Sequence, residues 1–138
     1  MKDLCEKKGT SHLFEISSAG TSDEEQGNTV HRGTLEELRK HGVKCERRYA
    51  AVLSPDDLSY YDLIVVMDEG NMRAVNRLAM EAGFEFYISV KDKIHLLGEY
   101  SGRGAVADPY YTGNFVDTWE DVSLGCEALY AYLTGENN

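Results

Sequence analysis

The sequence predicts an α/β fold in which a parallel sheet carries helices on both faces. Segments typical of strands alternate with segments typical of helices along the chain, and this alternation favours a parallel sheet. Leu63 to Met67 form a continuous apolar run, as a strand buried on both faces requires. From Phe115 to Leu133, apolar residues recur at steps of four and three. This stripe predicts a long C-terminal helix lying on the sheet.

The first part of the chain predicts a helix, a strand and a second helix. Residues 1–9 are typical of the last turns of a helix that stops at a glycine. Residues 13–17 are apolar at alternate positions and predict a strand. Residues 34–37 (Thr-Leu-Glu-Glu) fit a capping box. The helix that they open should end near Gly42, with this glycine in the left-handed conformation.

The middle of the chain continues the alternation. Residues 54–57 (Ser-Pro-Asp-Asp) place a cap, a proline and two acids in the order that begins a helix. Apolar residues at helical spacing between Met72 and Ala82 predict a helix after the central strand. Residues 94–97 are a further strand candidate. Residues 83–92 predict either an extra strand or an aromatic loop, and we assign them no role.

Length and composition favour a single domain that covers residues 1–138. Hydrophobic residues make up 42% of the chain, which is enough for one core. No apolar run approaches the roughly 20 residues of a membrane span, and the N-terminus lacks the apolar region of a secretory signal. The formal charge of -10 argues against nucleic acid as the main partner. We therefore predict neither a membrane nor a nucleic-acid partner.

The three cysteines are irregularly spaced and do not make a disulfide framework, so we expect a reducing, cytoplasmic setting. Cys126 lies on the C-terminal stripe and is predicted to be a core residue. Cys5 and Cys45 have polar and charged neighbours, which predicts accessible thiols. The four histidines do not show metal-ligand spacing. We predict no metal and no cofactor.

Four short segments carry the strongest functional signal. They are Ser17-Ser18-Ala19-Gly20-Thr21-Ser22, His41-Gly42-Val43, the run from Tyr61 to Asp68 with Asn71 after it, and Ala107-Asp108-Pro109-Tyr110-Tyr111-Thr112-Gly113. In order and approximate spacing, they resemble the low-molecular-weight protein tyrosine phosphatase family. The resemblance covers essentially the whole chain. It implies a three-layer sandwich with a parallel sheet of strand order 2-1-3-4, and phosphotyrosine hydrolysis through a cysteinyl-phosphate.

The resemblance also implies a nucleophile in a Cys-x5-Arg phosphate loop, and this motif does not occur in the 138 residues. The positions six residues after Cys5, Cys45 and Cys126 hold Ser11, Ala51 and Tyr132. We expect the chain to lack both this loop and the central first strand, and to be inactive as it stands. The strands on either side of the gap should then close into a three-stranded sheet or pair with another copy in a homo-oligomer.

Asp108 corresponds to the general acid of the family, which protonates the leaving phenolate. By itself, an Asp before Pro is more often a turn residue. The surrounding Tyr-Tyr-Thr-Gly and the other three segments favour the general acid instead. Tyr110 and Tyr111 correspond to the tyrosine pair of the family, whose first member lines the substrate crevice. Glu24 falls where many relatives carry an aromatic wall of that crevice.

Three further residues are predicted to support the site. Ser18 corresponds to a serine that binds the phosphate loop, and it is otherwise a residue that simply ends a strand. Asp68 and Asn71 flank the carboxyl end of the central strand, where sites form in parallel sheets. Helix capping by Asp68 is the equally weighted alternative.

The predicted substrate is a phosphotyrosine protein or a small aryl phosphate, provided that the phosphate loop is present. A different class of function is a pseudophosphatase that binds partners without catalysis. An arsenate reductase of the same fold ranks last, because Cys45 and Cys126 do not have the spacing of a redox relay.

Overall fold

The fold comes from a computed structural model, which describes residues 1–21, 32–43, 51–106 and 115–135. The helices within these ranges are α1 (Lys2–Lys7), α2 (Arg32–Lys40), α3 (Pro55–Tyr60), α4 (Glu69–Glu81), α5 (Phe84–Val90), α6 (Leu97–Ser101) and α7 (Phe115–Thr134). The strands are β1 (Ile64–Val66) and β2 (Ile94–Leu96), and short 3-10 turns cover Ser11–Leu13 and Lys91–Lys93. None of the described helices is long and apolar enough to cross a membrane.

Strands β1 and β2 pair in parallel, with Ile64 opposite Ile94 and Val66 opposite Leu96. Helices α4 and α5 lie between them in the chain, so the crossover connection that a parallel pair needs is helical. The start of α3 follows the predicted chemistry, because the Asp57 carboxylate accepts hydrogen bonds from both the backbone N–H and the hydroxyl of Ser54. The predicted parallel α/β architecture is confirmed.

Apolar side chains form one core on each face of this sheet. The first core joins β1 and β2 to α3, α4 and α5, and its buried members are Leu58, Ile64, Val66, Val75, Ala79, Val90 and Ile94. The second core consists of Leu97, Val106 and Leu129, with half-buried Leu63 and Val65 packed against it. Because alternate residues of a strand point to opposite faces, the run around β1 supplies both cores. Helices therefore cover both faces.

Residues 13–17, predicted as a strand, do not form one. Leu13 closes the 3-10 turn, and Phe14 begins an extended stretch with φ -130° and ψ 138°. Residues 14–19 lie outside any ladder, and the described sheet contains only β1 and β2. The expected pairing of this segment with β1 is therefore wrong.

Side chains from the end of α3 hold this extended stretch instead. The Tyr60 hydroxyl donates to Glu15 Oε2 at 2.5 Å, and the hydroxyls of Ser17 and Tyr61 share a hydrogen bond of 2.6 Å. An extended chain needs a neighbouring backbone to become a ladder strand, and residues 14–19 lie outside any ladder. Backbone pairing begins at Gly20, which forms an isolated parallel bridge with Val52.

Residues 83–92 differ from both predicted alternatives, because they form α5 and the following 3-10 turn. Phe86, Tyr87 and Val90 all pack in the first core, and their spacing of one and three residues fits one side of a helix. The alternating composition of Phe84 to Tyr87 imitates a strand. Burial against α4 therefore outweighs the β propensity of these residues.

Two local predictions are corrected and one is confirmed. Helix α2 begins at Arg32, so Thr34 lies inside the helix and the predicted capping box is wrong. Its predicted end is confirmed, because Gly42 has a φ of 70°. Cys5 is only 1% exposed, so the predicted accessible thiol is wrong at this position. Cys45 lies outside the described residues.

Cys126 is confirmed as a core residue, since it is half-buried and packs against the second core. It lies on α7, and the predicted C-terminal helix is thereby confirmed in position and length.

Lys93 fixes the C-terminal end of α3. Its ammonium donates to the carbonyls of Leu58 at 2.6 Å, Ser59 at 3.2 Å and Tyr61 at 2.9 Å. These carbonyls include acceptors that a helix end leaves unsatisfied, and a cation there also complements the helix dipole. We expect Lys93→Met to lower the free energy of unfolding by about 1–3 kcal/mol, as measured by urea denaturation.

Lys91→Met is the matched control for this prediction. Lys91 is exposed and pairs with its neighbour Asp92 at 3.4 Å. Its loss should change the free energy of unfolding by less than about 0.5 kcal/mol. Equal effects of the two substitutions would contradict the role assigned to Lys93.

Candidate active site

The carboxyl end of β1 carries two of the predicted supporting residues. Asp68 caps α4, since the backbone N–H of Asn71 donates to Asp68 Oδ1 at 2.7 Å. The Asn71 side chain reaches back, and its Oδ1 accepts from the backbone N–H of Met67 at 3.2 Å. The capping interpretation of Asp68 is therefore confirmed, whereas a role in catalysis stays a prediction.

A second stretch of chain reaches this same edge. The backbone N–H of Val106 donates to the Met67 carbonyl at 2.8 Å, and the Val106 side chain is buried in the second core. The backbone N–H of Met67 thus binds Asn71, and its carbonyl binds Val106. Asp108, Tyr110 and Tyr111 follow shortly afterwards and lie outside the described residues, as does Glu24.

Residues 102–106, which we name the strap, fold tightly against α6. Gly102 ends α6 in the left-handed conformation, with a φ of 75°. The backbone N–H groups of Arg103 and Gly104 then donate to the Gly98 carbonyl at 3.0 and 3.4 Å. A Cβ on Gly98 would lie 1.6 Å from the Gly104 carbonyl oxygen. Only glycine at position 98 permits this approach of two backbone segments.

The strap is also joined to α7 by a side chain. Arg103 Nε donates to Asp121 Oδ1 at 2.9 Å, and an Arg103 terminal nitrogen lies 3.6 Å from Glu120 Oε1. Sequence reasoning missed Arg103, because a single arginine in a glycine-rich stretch has no pattern and its carboxylate partners lie far along the chain. In the fold, the pair connects the stretch before residues 107–114 to the helix after them.

A second cluster joins α2 to the start of α7. Glu37 is 6% exposed, and His41 Nε2 lies 2.9 Å from its Oε2. The His41 ring stacks on Trp119, with 3.8 Å between ring centroids and 5° between ring planes. The His-Gly-Val segment found in the sequence thus ties α2 to α7. The spacing of Glu37 and His41 on one helix face would have predicted their pairing, but nothing in the sequence points to Trp119.

Ser18 lies on the exposed extended stretch that precedes Gly20, and its predicted role stays a prediction. The stretch is anchored through Glu15 and Ser17, as described above. The pKa of Tyr60 is raised above its ordinary value, because the Glu15 carboxylate accepts a hydrogen bond from the phenol and repels the phenolate. Within the described ranges, no group of three or more His, Cys, Asp or Glu side chains could hold a metal ion. The prediction that the protein binds no metal stays untested.

Comparison with known proteins identifies the family. The sequence model described as low molecular weight phosphotyrosine protein phosphatase matches residues 1–138. The chain belongs to this phosphatase family. It is 35% identical over 135 residues to the low molecular weight protein-tyrosine-phosphatase YfkJ of Bacillus subtilis, a match that covers 98% of this chain and 84% of the relative.

Solved structures of low molecular weight phosphatases share this fold. The crystal structure of YfkJ from Bacillus subtilis aligns with a TM-score of 0.88 at 33% identity, over 99% of this chain and 84% of that chain. SP-PTP, the low molecular weight protein tyrosine phosphatase from Streptococcus pyogenes, aligns with a TM-score of 0.80 at 27% identity, over 96% of this chain and 81% of that chain. The predicted phosphatase fold class is confirmed.

Proposed function

We propose that this low molecular weight phosphatase domain serves phosphotyrosine hydrolysis, with Asp108 as the general acid. The observation that carries the proposal is the 2.8 Å hydrogen bond from the Val106 N–H to the Met67 carbonyl. It holds the chain shortly before Asp108 at the carboxyl end of β1, beside Asp68 and Asn71. Membership of the family supports the reaction class.

The reaction needs a thiolate nucleophile, donors for the phosphoryl oxygens, and an acid. As the thiolate attacks phosphorus, the bond to the aryl oxygen breaks, and Asp108 gives its proton to that oxygen. Water then attacks the cysteinyl-phosphate, and the Asp108 carboxylate accepts the proton of that water. Phosphate leaves and the thiolate is restored.

We infer that the 138 residues supply the acid and the supporting edge but not the nucleophile, because they contain no Cys-x5-Arg motif. Ser18 and Asn71 would support the loop and its surroundings. Tyr110, Tyr111 and Glu24 would contact a phosphotyrosine protein or a small aryl phosphate. Glu24 offers no aromatic face to the phenyl ring, so it would contribute less stacking than an aromatic wall does. A cytoplasmic setting fits this chemistry.

Hydrolysis of p-nitrophenyl phosphate tests the proposal. Two purified proteins are compared: the 138-residue chain, and a loop-bearing form in which a Cys-x5-Arg segment from a relative precedes Met1. We expect turnover by the loop-bearing form alone, and its loss when the loop cysteine is replaced by serine. Turnover by the 138-residue chain would contradict the inferred lack of a nucleophile, and Cys45 would be the first residue to replace.

The lack of a Cys-x5-Arg motif also favours a second candidate, a phosphotyrosine-binding module without catalysis. Calorimetric titration of the 138-residue chain with a phosphotyrosine peptide, and with the same peptide lacking the phosphate, tests this alternative. Saturable binding of the phosphopeptide alone supports it. Absence of binding would show that the 138 residues alone do not bind phosphotyrosine.

A further inference from the structure

The strap of residues 102–106 is fixed at both ends by backbone contacts. At its start, two N–H groups converge on the Gly98 carbonyl. At its end, Val106 is 9% exposed, packs in the second core, and donates its N–H to Met67. These contacts set the path of the strap relative to α6 and β1, and at its end the Val106 side chain shares the second core with Leu129 of α7.

Arg103 adds a charged connection to α7 near the start of the strap. Its Nε bonds to Asp121 at 2.9 Å, and the Asp121 side chain is only 15% exposed. Glu120 adds a second carboxylate at 3.6 Å. The planar, permanently charged guanidinium suits two neighbouring carboxylates better than an ammonium does. Arg103 therefore ties the start of the strap to α7, in addition to the apolar contact that Val106 makes at its end.

We propose that Arg103 is a positioning residue for the proposed acid: its ion pairs with α7 fix the point from which the chain passes Met67 toward Asp108. The inference rests on the proposed function, because Arg103 acts on the reaction only by positioning Asp108 as the acid. Arg103 itself does not touch substrate. Its effect reaches the reaction through the strap and the Val106–Met67 bond.

Native-state hydrogen exchange of the 138-residue chain, followed by NMR, tests the structural half of the inference. Arg103→Met should speed exchange of the Val106 amide by about five-fold relative to the Val75 amide in α4, because losing an ion pair favours local opening of the strap. Val75 serves as reference for global unfolding, since it lies in the first core. Arg103→Lys should give an intermediate rate.

Lys91→Met provides the control for charge loss, because the Lys91 side chain is 42% exposed and that of Arg103 is 41% exposed. It should leave the ratio of Val106 to Val75 exchange within about two-fold of the starting value. A ratio that is also unchanged in Arg103→Met would overturn the proposal. Non-additive effects of Arg103→Met and Asp121→Asn in a double-mutant cycle would support it, and full additivity would count against it.

Leaving-group dependence in the loop-bearing form tests the functional half. A poor leaving group such as phenolate needs protonation more than p-nitrophenolate does. Arg103→Met should therefore lower kcat/KM for phenyl phosphate several-fold more than for p-nitrophenyl phosphate, because kcat/KM reports the step in which the aryl oxygen leaves. Equal losses in kcat/KM for both esters would overturn a positioning role.

Parallel measurements on Asp108→Asn separate the two possible failures. If Asp108→Asn leaves both esters unaffected, the acid assignment in the proposed function fails. If Asp108→Asn slows the phenyl ester and Arg103→Met does not, only the inference on Arg103 fails.

Discussion

Replacing Gly98 with alanine is expected to lower the free energy of unfolding by about 3 kcal/mol or more. The added Cβ would lie 1.6 Å from the carbonyl oxygen of Gly104 and 2.5 Å from its carbonyl carbon. Both are backbone atoms, so no side chain can rotate away to make room. The strap would have to leave α6 and lose the two hydrogen bonds that converge on the Gly98 carbonyl.

Urea denaturation followed by circular dichroism measures this effect, and Gly70→Ala is its control. Gly70 also lies in a helix, is exposed, and would place its Cβ 3.3 Å from the Asp68 side chain. The change there should stay within about 1 kcal/mol, since alanine favours helix and the tight contact is with a side-chain atom rather than with backbone. A loss at Gly98 no larger than at Gly70 would show that the strap shifts at little cost.

Replacing Asp108 with asparagine in the loop-bearing form is expected to lower kcat for phosphotyrosine about 100-fold or more. An amide is far too weak an acid to protonate the leaving phenolate, and asparagine is close to aspartate in size. KM should change much less, because the substituted group acts on the bond that breaks rather than on binding. Steady-state kinetics with phosphotyrosine and with p-nitrophenyl phosphate measure both parameters.

Asp92→Asn serves as the control for this kinetic prediction. Asp92 lies in the exposed 3-10 turn before β2, so its loss should leave kcat within about two-fold of the unmodified enzyme. An effect of Asp108→Asn that is equally small would show that Asp108 is not the general acid. Its role would then be that of a turn residue before Pro109.

Sequence patterns predicted those elements whose signals are local. The apolar run gave β1, the Ser-Pro-Asp-Asp segment gave α3, and the C-terminal stripe gave α7. The prediction for residues 84–90 was wrong because aromatic residues favour strands, whereas packing in the first core makes this segment helical. The predicted strand at residues 13–17 was wrong because a ladder strand needs a neighbouring backbone, and the sequence of one segment does not show whether that neighbour is present.

The supporting edge of the site was predictable in part. Asp68 and Asn71 sit where short polar residues both cap helices and line sites, and the capping bond was one of two stated alternatives. Arg103 and Val106 were not predictable, since their contacts with Asp121 and Met67 join distant parts of the chain. Such contacts follow from the fold and have no signature in sequence spacing.

The stack of His41 on Trp119 has an optical consequence. The chain contains one tryptophan, and its indole lies flat against an imidazole that bonds to a buried carboxylate. Tryptophan emission of this molecule, excited at wavelengths that its nine tyrosines do not absorb, is therefore a single-site signal, and it reports whether α2 remains docked on the start of α7.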